Sequence, residues 1–223
     1  MSMPLMIRAV RIVLLCSLLW GVGCGAQEAR QDHTCTIDFG GSAFQPIGKD
    51  GKNFDTAWGI QVGGGFAVWR SERYRPRYGF YITGNYLYGR YPATPAALTV
   101  AKTQEPSLSN ATSAVGNYSS ITIDPTFRFR FNSKVSGYVS GGSGWLHRGV
   151  AFNGATEVTL LHAHGPTLAR AASNSGVFDG GGGLNFTPGW MKGFMPFIEW
   201  RIYRGTAIND STTLMPMSVG IRW

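Results

Sequence analysis

The sequence predicts an all-β protein: an eight-stranded antiparallel up-and-down transmembrane β-barrel, preceded by a cleaved signal peptide. Three observations support this prediction. Eight segments alternate between apolar and polar residues with the two-residue period of a strand. Only 14% of the 223 residues are charged, against roughly 25% in ordinary soluble domains. All five lysines lie between the eight segments, although water-facing strand surfaces usually carry lysine. We therefore expect the apolar strand faces to meet lipid and the polar faces to line the lumen.

The N-terminal residues have the layout of a secretory signal peptide. Arg8 and Arg11 precede the apolar run 12–20, and small residues continue to Ala26. The run is too short to span a bilayer as a helix. We therefore predict cleavage after Ala26, which makes residues 1–26 the signal. Lipid attachment at Cys24 is the alternative, but the residues before it lack the leucine expected of such a site.

The rest of the chain divides into a periplasmic segment at 27–34 and an outer-membrane barrel at 35–223. Strands are predicted at 35–48, 56–70, 77–91, 119–132, 135–150, 175–187, 194–204 and 212–223. The connections at one end of these strands are short, as periplasmic turns are. Two connections at the opposite end, 92–118 and 153–174, are long. We expect these two loops to face the outside of the cell.

Charged residues on the polar strand faces form the main candidate site. The segment "ITIDPTFRFRF" shows the pattern, because isoleucine and phenylalanine alternate with polar and charged residues. The predicted lumen charge network consists of Asp38, Asp124, Arg128, Arg130, Asp179, Glu199, Arg201 and Arg222. An eight-stranded barrel is just wide enough for side chains to fill it. We therefore predict that these residues form ion pairs and plug the lumen, whereas His147 and Arg148 are interpreted as rim residues.

A second group of basic residues lies in the first short turn, "RSERYRPR". The group consists of Arg70, Arg73, Arg75 and Arg77. Each arginine close to an anionic membrane surface contributes about 1 kcal/mol to binding. The turn is therefore predicted to hold the barrel rim against lipid phosphates; a solvated turn with spare charge is the alternative.

The signal peptide, the eight amphipathic strands and the terminal "SVGIRW" together resemble the small eight-stranded bacterial outer-membrane barrels of the OmpA/OmpX type. The resemblance covers the whole chain after the signal and rests on pattern. It implies that Val219, Ile221 and Trp223 form the assembly signal read by the barrel-assembly machinery, although phenylalanine is the commoner last residue. It also implies a location in the bacterial outer membrane, among its lipids and lipopolysaccharide.

The favoured function is that of a structural or surface-interaction protein, adhesion-like, which binds an unspecified extracellular ligand through its long outer loops. The alternatives are a porin-like hydrophobic conduit of the OmpW type and a lipid A-modifying enzyme. We predict a monomer with no catalytic residue, no cofactor and no metal site. The pair His162 and His164 offers two ligands, whereas a zinc site needs three or four. The net charge of +8 on an exported chain favours anionic lipid over nucleic acid as partner.

Overall fold

The computed structural model describes most of the predicted barrel. It covers residues 35–47, 50–72, 77–154, 172–191, 193–206 and 213–223. The predicted signal peptide, Cys24 and the segment 27–34 lie outside these residues, as does most of the predicted loop 153–174. Within the described ranges, no helix combines the length and the apolar character needed to cross a membrane.

Eight antiparallel strands form a closed barrel in which each strand pairs with its neighbours in the chain. They are β1 (Cys35–Ile47), β2 (Ala57–Arg70), β3 (Tyr78–Pro92), β4 (Ser113–Arg130), β5 (Val135–Asn153), β6 (Ala172–Phe186), β7 (Met195–Gly205) and β8 (Thr213–Arg222). The first and last strands pair with each other, so that Asp38 lies opposite Arg222 and Phe44 opposite Pro216. The predicted antiparallel up-and-down barrel of eight strands is confirmed, and the signal peptide stays a prediction.

The two ends of the barrel differ, and we name them by their connections. The turn end carries the short connections 71–77, 131–134 and 187–194. The loop end carries 48–56, 93–112, 154–171 and 206–212.

The strands alternate between an apolar outer face and a buried inner face. Trp58 is 75% exposed and Ile123 is 63% exposed on the outside. Gln61 and Asp124, on the same two strands, are buried inside. This arrangement is the reverse of that in a soluble barrel, which hides its apolar face. The exterior of the barrel is therefore suited to lipid.

The largest difference from the predicted elements is at the loop end. β4 begins at Ser113, although the sequence predicted a strand from 119, and β5 continues to Asn153 instead of ending at 150. Serine, alanine, glycine and asparagine make up most of these extensions, so their sequence looks like a loop while their backbones remain paired. The predicted loop 92–118 also contains α1 (Pro95–Gln104). Thr94 caps the start of this helix, because its hydroxyl accepts a hydrogen bond from the Ala97 N–H at 3.3 Å.

Apolar side chains fill the lumen towards the loop end. We call this group the apolar plug: Phe44, Phe54, Ala57, Leu87, Tyr91, Ala97, Ala101, Leu108, Ala111, Ala114, Tyr118, Leu146, Val150, Phe152, Val177, Tyr203 and Leu214. Helix α1 contributes the two alanines Ala97 and Ala101, which it buries against the barrel. The sequence did not predict this plug, which closes the lumen on the loop-end side of the charged residues.

Candidate functional site: the charged lumen

Three carboxylates converge on one guanidinium in the middle of the lumen. Arg201 lies on β7, and its side chain is almost fully buried. Its Nη2 atom is 2.6 Å from Asp124 Oδ2 and also contacts the Asp179 carboxylate. Its Nη1 atom is 4.0 Å from Glu199 Oε1. The structure thus brings together four of the predicted network residues, from β4, β6 and β7.

Glu199 is held mainly by neutral donors. The Gln61 Nε2 group donates to Glu199 Oε1 at 2.9 Å, and the Tyr138 hydroxyl donates to Glu199 Oε2 at 2.7 Å. Both distances are much shorter than the 4.0 Å separation of Glu199 from Arg201. Hydrogen bonds to a carboxylate compensate for part of its lost hydration. The lumen therefore stabilises this acid through uncharged partners from β2 and β5.

A second ion pair joins the first and last strands. Arg222 donates to Asp38 through two parallel hydrogen bonds, Nε to Oδ1 at 2.8 Å and Nη2 to Oδ2 at 3.0 Å. Its Nη1 group donates to Asn185 Oδ1 at 2.7 Å. Such a forked arrangement fixes the orientation of both partners. The pair therefore fastens β1 to β8 from inside the barrel. We call the six residues of these two clusters the charged layer: Asp38, Asp124, Asp179, Glu199, Arg201 and Arg222.

Two of the predicted network residues lie apart from the charged layer. Arg128 is half-buried near the turn end, where its Nη2 group donates to Thr36 Oγ1 at 3.1 Å. Its guanidinium lies 4.1 Å from the centre of the Tyr81 ring, and it forms no ion pair with an acid in the described ranges. Arg130 is half-buried at the turn-end rim.

Arg148 is a correction to the sequence interpretation. It was interpreted as a rim residue, yet its side chain is only 2% exposed. It lies opposite Tyr118 on β4, well below the last paired residues of β4 and β5. The barrel wall is longer here than the sequence suggested, and for that reason Arg148 lies inside it.

The basic turn is described only in part. Arg70 is half-buried and Arg77 is exposed, while Arg73 and Arg75 lie outside the described residues. Ser71 Oγ accepts a hydrogen bond from the Arg77 N–H at 3.1 Å. This contact shows that the end of the turn is folded back on its start.

The residues of the predicted assembly signal lie on the lipid-facing side of the barrel. Val219, Ile221 and Trp223 are all exposed there. Trp223 also exchanges two backbone hydrogen bonds with Ile37 on β1, at 2.7 and 2.8 Å. The apolar side chains at the end of β8 are thus free to contact lipid while the backbone completes the barrel.

The chemistry available in the lumen is that of a fixed ionic network. Among the described residues, no group of three or more His, Cys, Asp or Glu side chains has a metal-binding arrangement. His147 Nδ1 lies 2.8 Å from Asn174 Oδ1, and His162 and His164 lie outside the described residues. Removing one partner of a buried ion pair leaves the other charge uncompensated in a space with little water. The charged layer can therefore close the lumen and fix the barrel.

No protein-family model matches this chain, and no curated protein sequence matches it. Among solved structures, neisserial surface protein A is 13% identical, with 85% of this chain and 96% of that chain covered and a TM-score of 0.52. The attachment invasion locus protein Ail of Yersinia pestis, in complex with the heparin analogue sucrose octasulfate, is 14% identical over 85% of this chain and 97% of its own, with a TM-score of 0.48. OprG from Pseudomonas aeruginosa is 9% identical over 84% of this chain and 93% of its own, with a TM-score of 0.44.

The likeness to neisserial surface protein A is a likeness of fold. It agrees with the closed eight-stranded topology and with an exterior suited to lipid. These findings also agree with the predicted location in the bacterial outer membrane. The chain therefore has the fold of the small eight-stranded outer-membrane β-barrels.

Proposed function

We propose that this chain is a non-conducting barrel of the outer membrane that acts through contacts made at its loop end, as a structural or surface-interaction protein. The observation that carries the proposal is the filling of the lumen by two stacked groups, the charged layer and the apolar plug. A barrel of eight strands has little interior space to begin with. A protein without a passage must exert its function on its surface.

The charged layer supports closure towards the turn end. Arg201 and Arg222 both lie on the inner face and are almost completely buried. Each is fixed by contacts to at least one carboxylate within 2.8 Å. Moving either aside would separate buried opposite charges, which is costly in a space with little water. Thermal opening of a passage through this layer is therefore disfavoured.

The connection between β3 and β4 supports a role for the loop end. This connection is folded onto the barrel: the Ala93 N–H donates to Ala114 O at 2.9 Å, and the Thr94 N–H donates to Asn53 O at 2.9 Å. Helix α1 then presents Val100, which is 50% exposed. A surface that is already ordered loses less conformational entropy when it binds a partner. We infer that α1 forms part of the contact surface.

We propose no catalytic step for this chain. A lipid-modifying enzyme needs a nucleophile and a base that converge near the rim, and His147 instead faces the side chain of Asn174. We also propose that membrane lipids and lipopolysaccharide surround the barrel and that the barrel-assembly machinery acts on it during biogenesis. We propose further that the barrel is a monomer. The extracellular ligand is an unspecified surface component.

Planar-bilayer recordings test the closed lumen. We expect no steady ohmic current from the refolded native barrel, because both the charged layer and the apolar plug must be displaced before ions can pass. A reproducible ohmic channel in the unmodified protein would contradict the closed lumen and would favour transport.

Surface binding is tested by displaying the barrel on a non-adherent bacterial host and measuring attachment to cultured cells. Val100→Glu, which changes the exposed face of α1, should lower attachment. Ser133→Glu is the matched control, because Ser133 is exposed at the opposite end. Attachment that is no greater with the native barrel than without it would refute the surface role.

A further inference from the structure

We infer that the turn-end mouth of the lumen is a binding site for a phosphoryl group, formed by Arg77, Arg128 and Arg130. A cavity of about 70 Å³ opens there. One water needs only roughly 10–15 Å³ measured in this way, so the cavity holds a group of several heavy atoms. Its lining includes these three arginines and no acidic residue. The site is independent of the proposed contact surface, which lies at the other end of the barrel.

Arg128 supplies the strongest argument for an anion. Its Nη2 group donates to Thr36, and the Tyr81 ring covers one face of the guanidinium. Its Nε atom is buried and has no hydrogen-bond partner among the described residues. Arg201 and Arg222, in contrast, are both paired with carboxylates. A partly buried guanidinium without a carboxylate is destabilising unless another anion compensates for its charge.

The surrounding turn presents further donors. Asn132 Oδ1 accepts hydrogen bonds from the backbone N–H groups of Lys134 at 2.8 Å and Val135 at 2.9 Å. These bonds fold the turn tightly and leave Ser133 and Ser136 at the edge of the cavity. Hydroxyl groups at this edge can donate to the oxygens of a bound anion. The site is therefore built on a turn whose backbone is already fixed.

Arg77 completes the ring of positive charge. Its guanidinium lies 5.7 Å from the centre of the Tyr78 ring. Ser71 Oγ accepts hydrogen bonds from the backbone N–H groups of both Arg77 and Tyr78, each at 3.1 Å. The aromatic ring of Tyr78 and the folded backbone hold Arg77 at the mouth. The Arg130 N–H donates to Arg77 O at 2.9 Å, so that these two arginines lie side by side at the mouth.

The charge of the site favours a phosphoryl group over a carboxylate. The arginine fork fits both kinds of anion, but three cations with no acid in the lining can neutralise the larger charge of a phosphate monoester. Such a group could belong to the headgroup of an anionic phospholipid in the adjoining leaflet or to a soluble phosphate. The two sources share one chemistry and differ in how they reach the mouth.

The first arm of the test uses inorganic phosphate and the full barrel in a zwitterionic detergent without phosphate. Isothermal titration should show saturable binding to the native protein and much weaker binding of acetate. Arg128→Gln and Arg130→Gln should each weaken phosphate binding about tenfold or more, the loss expected for one charge-assisted hydrogen bond. Arg90→Gln, at an exposed arginine near the loop end, should bind phosphate like the native protein.

A second pair of variants leaves the partly buried Arg128 unchanged. Ser133→Glu places a competing carboxylate at the mouth on an exposed turn residue and should weaken phosphate binding in a normally folded barrel. Ser133→Gln, of similar size but uncharged, should not. Equal binding by these two variants would contradict the site.

The second arm uses bilayer discs of phosphatidylcholine with and without phosphatidylglycerol. Native mass spectrometry of the released barrel should count retained phosphatidylglycerol if the source is a headgroup, and this retention should fall in Arg130→Gln. Saturable binding in either arm supports the site and identifies its source. The inference is overturned if neither arm shows saturable binding, if acetate binds as well as phosphate, or if Arg90→Gln loses as much binding as the mouth variants.

Discussion

The two halves of the lumen are filled in different ways. Towards the turn end, the charged layer holds the strands together through short contacts of fixed direction, such as the 2.8 Å bond from Arg222 to Asp38. Towards the loop end, the apolar plug packs aromatic and aliphatic side chains such as Phe44 and Leu87 against one another. Both groups close the same passage. They differ in what happens when one member is removed.

In the charged layer, removing one partner leaves the others charged and buried. Arg201 faces Asp124, Asp179 and Glu199, so its loss exposes several acids to one another. In the apolar plug, removing a side chain leaves a cavity whose cost depends on how far the neighbours relax. We therefore expect abrupt effects in the first region and graded effects in the second.

The largest effect is expected for Arg201→Met. Breaking a buried ion pair typically costs about 3–5 kcal/mol, and Arg201 contacts more than one acid. Urea unfolding of the barrel refolded into lipid vesicles should show a loss of this size. Arg204→Met, at an exposed position on the same strand, is the matched control.

A restored charge balance sharpens this test. Adding Asp124→Asn and Asp179→Asn to Arg201→Met should recover much of the lost stability, because the two acids closest to the guanidinium no longer carry charge. If Arg201→Met alone were as stable as the Arg204→Met control, the charged layer would not hold the barrel together.

An intermediate effect is expected for Leu87→Ala in the apolar plug. Leu87 is almost completely buried, and such truncations in packed cores cost about 3 kcal/mol, of which part is the cavity left behind. Leu184→Ala is the control, because Leu184 is exposed on the outer face, where lipid can fill the space. Urea midpoints in vesicles should fall further for Leu87→Ala. Equal losses would mean that the plug is loosely packed.

The smallest effect is expected for Gly183→Ala, which pushes on the charged layer without removing a charge. A Cβ atom at Gly183 would lie 2.6 Å from the Tyr138 hydroxyl and would also contact Ile198 O. Overpacking of this kind costs about 1–2 kcal/mol and should shift Tyr138 away from Glu199. Gly180→Ala, where the nearest atom is 3.8 Å away, should be close to native in thermal unfolding. Identical melting of both variants would refute the predicted crowding.

The sequence was most informative where the two faces of a strand differ in chemistry. In β4, Ile123 points to lipid and Asp124 into the lumen, so strict alternation predicted both the strand and its faces. The alternation weakens near the loop end of β3, where Tyr86 and Tyr88 on one face and Leu87 and Tyr91 on the other are all apolar or aromatic. A period of two cannot separate inside from outside when both faces are apolar. The apolar plug was missed for this reason.

The pairing of the lumen charges could not be predicted at all. Arg128 and Arg201 both lie on polar strand faces, yet only Arg201 meets carboxylates. Which charges come together depends on how far the strands are staggered around the barrel, and a single sequence does not specify the stagger. Arg148 was misassigned for a related reason, since the length of the barrel wall depends on pairing by residues such as alanine, glycine and asparagine, which carry little strand signal.

The pairing of β1 with β8 has a consequence for folding. Every other strand pair joins neighbours in the chain, so these hairpins can form locally and quickly. The last pair joins residues from opposite ends of the described chain, and the forked contact between Asp38 and Arg222 fits one alignment. A slip by one residue turns a strand's inward side chains outward and would separate Arg222 from Asp38, at about 3–5 kcal/mol for a broken buried ion pair. The final closure step thus selects its own register, and a misaligned intermediate is driven to reopen.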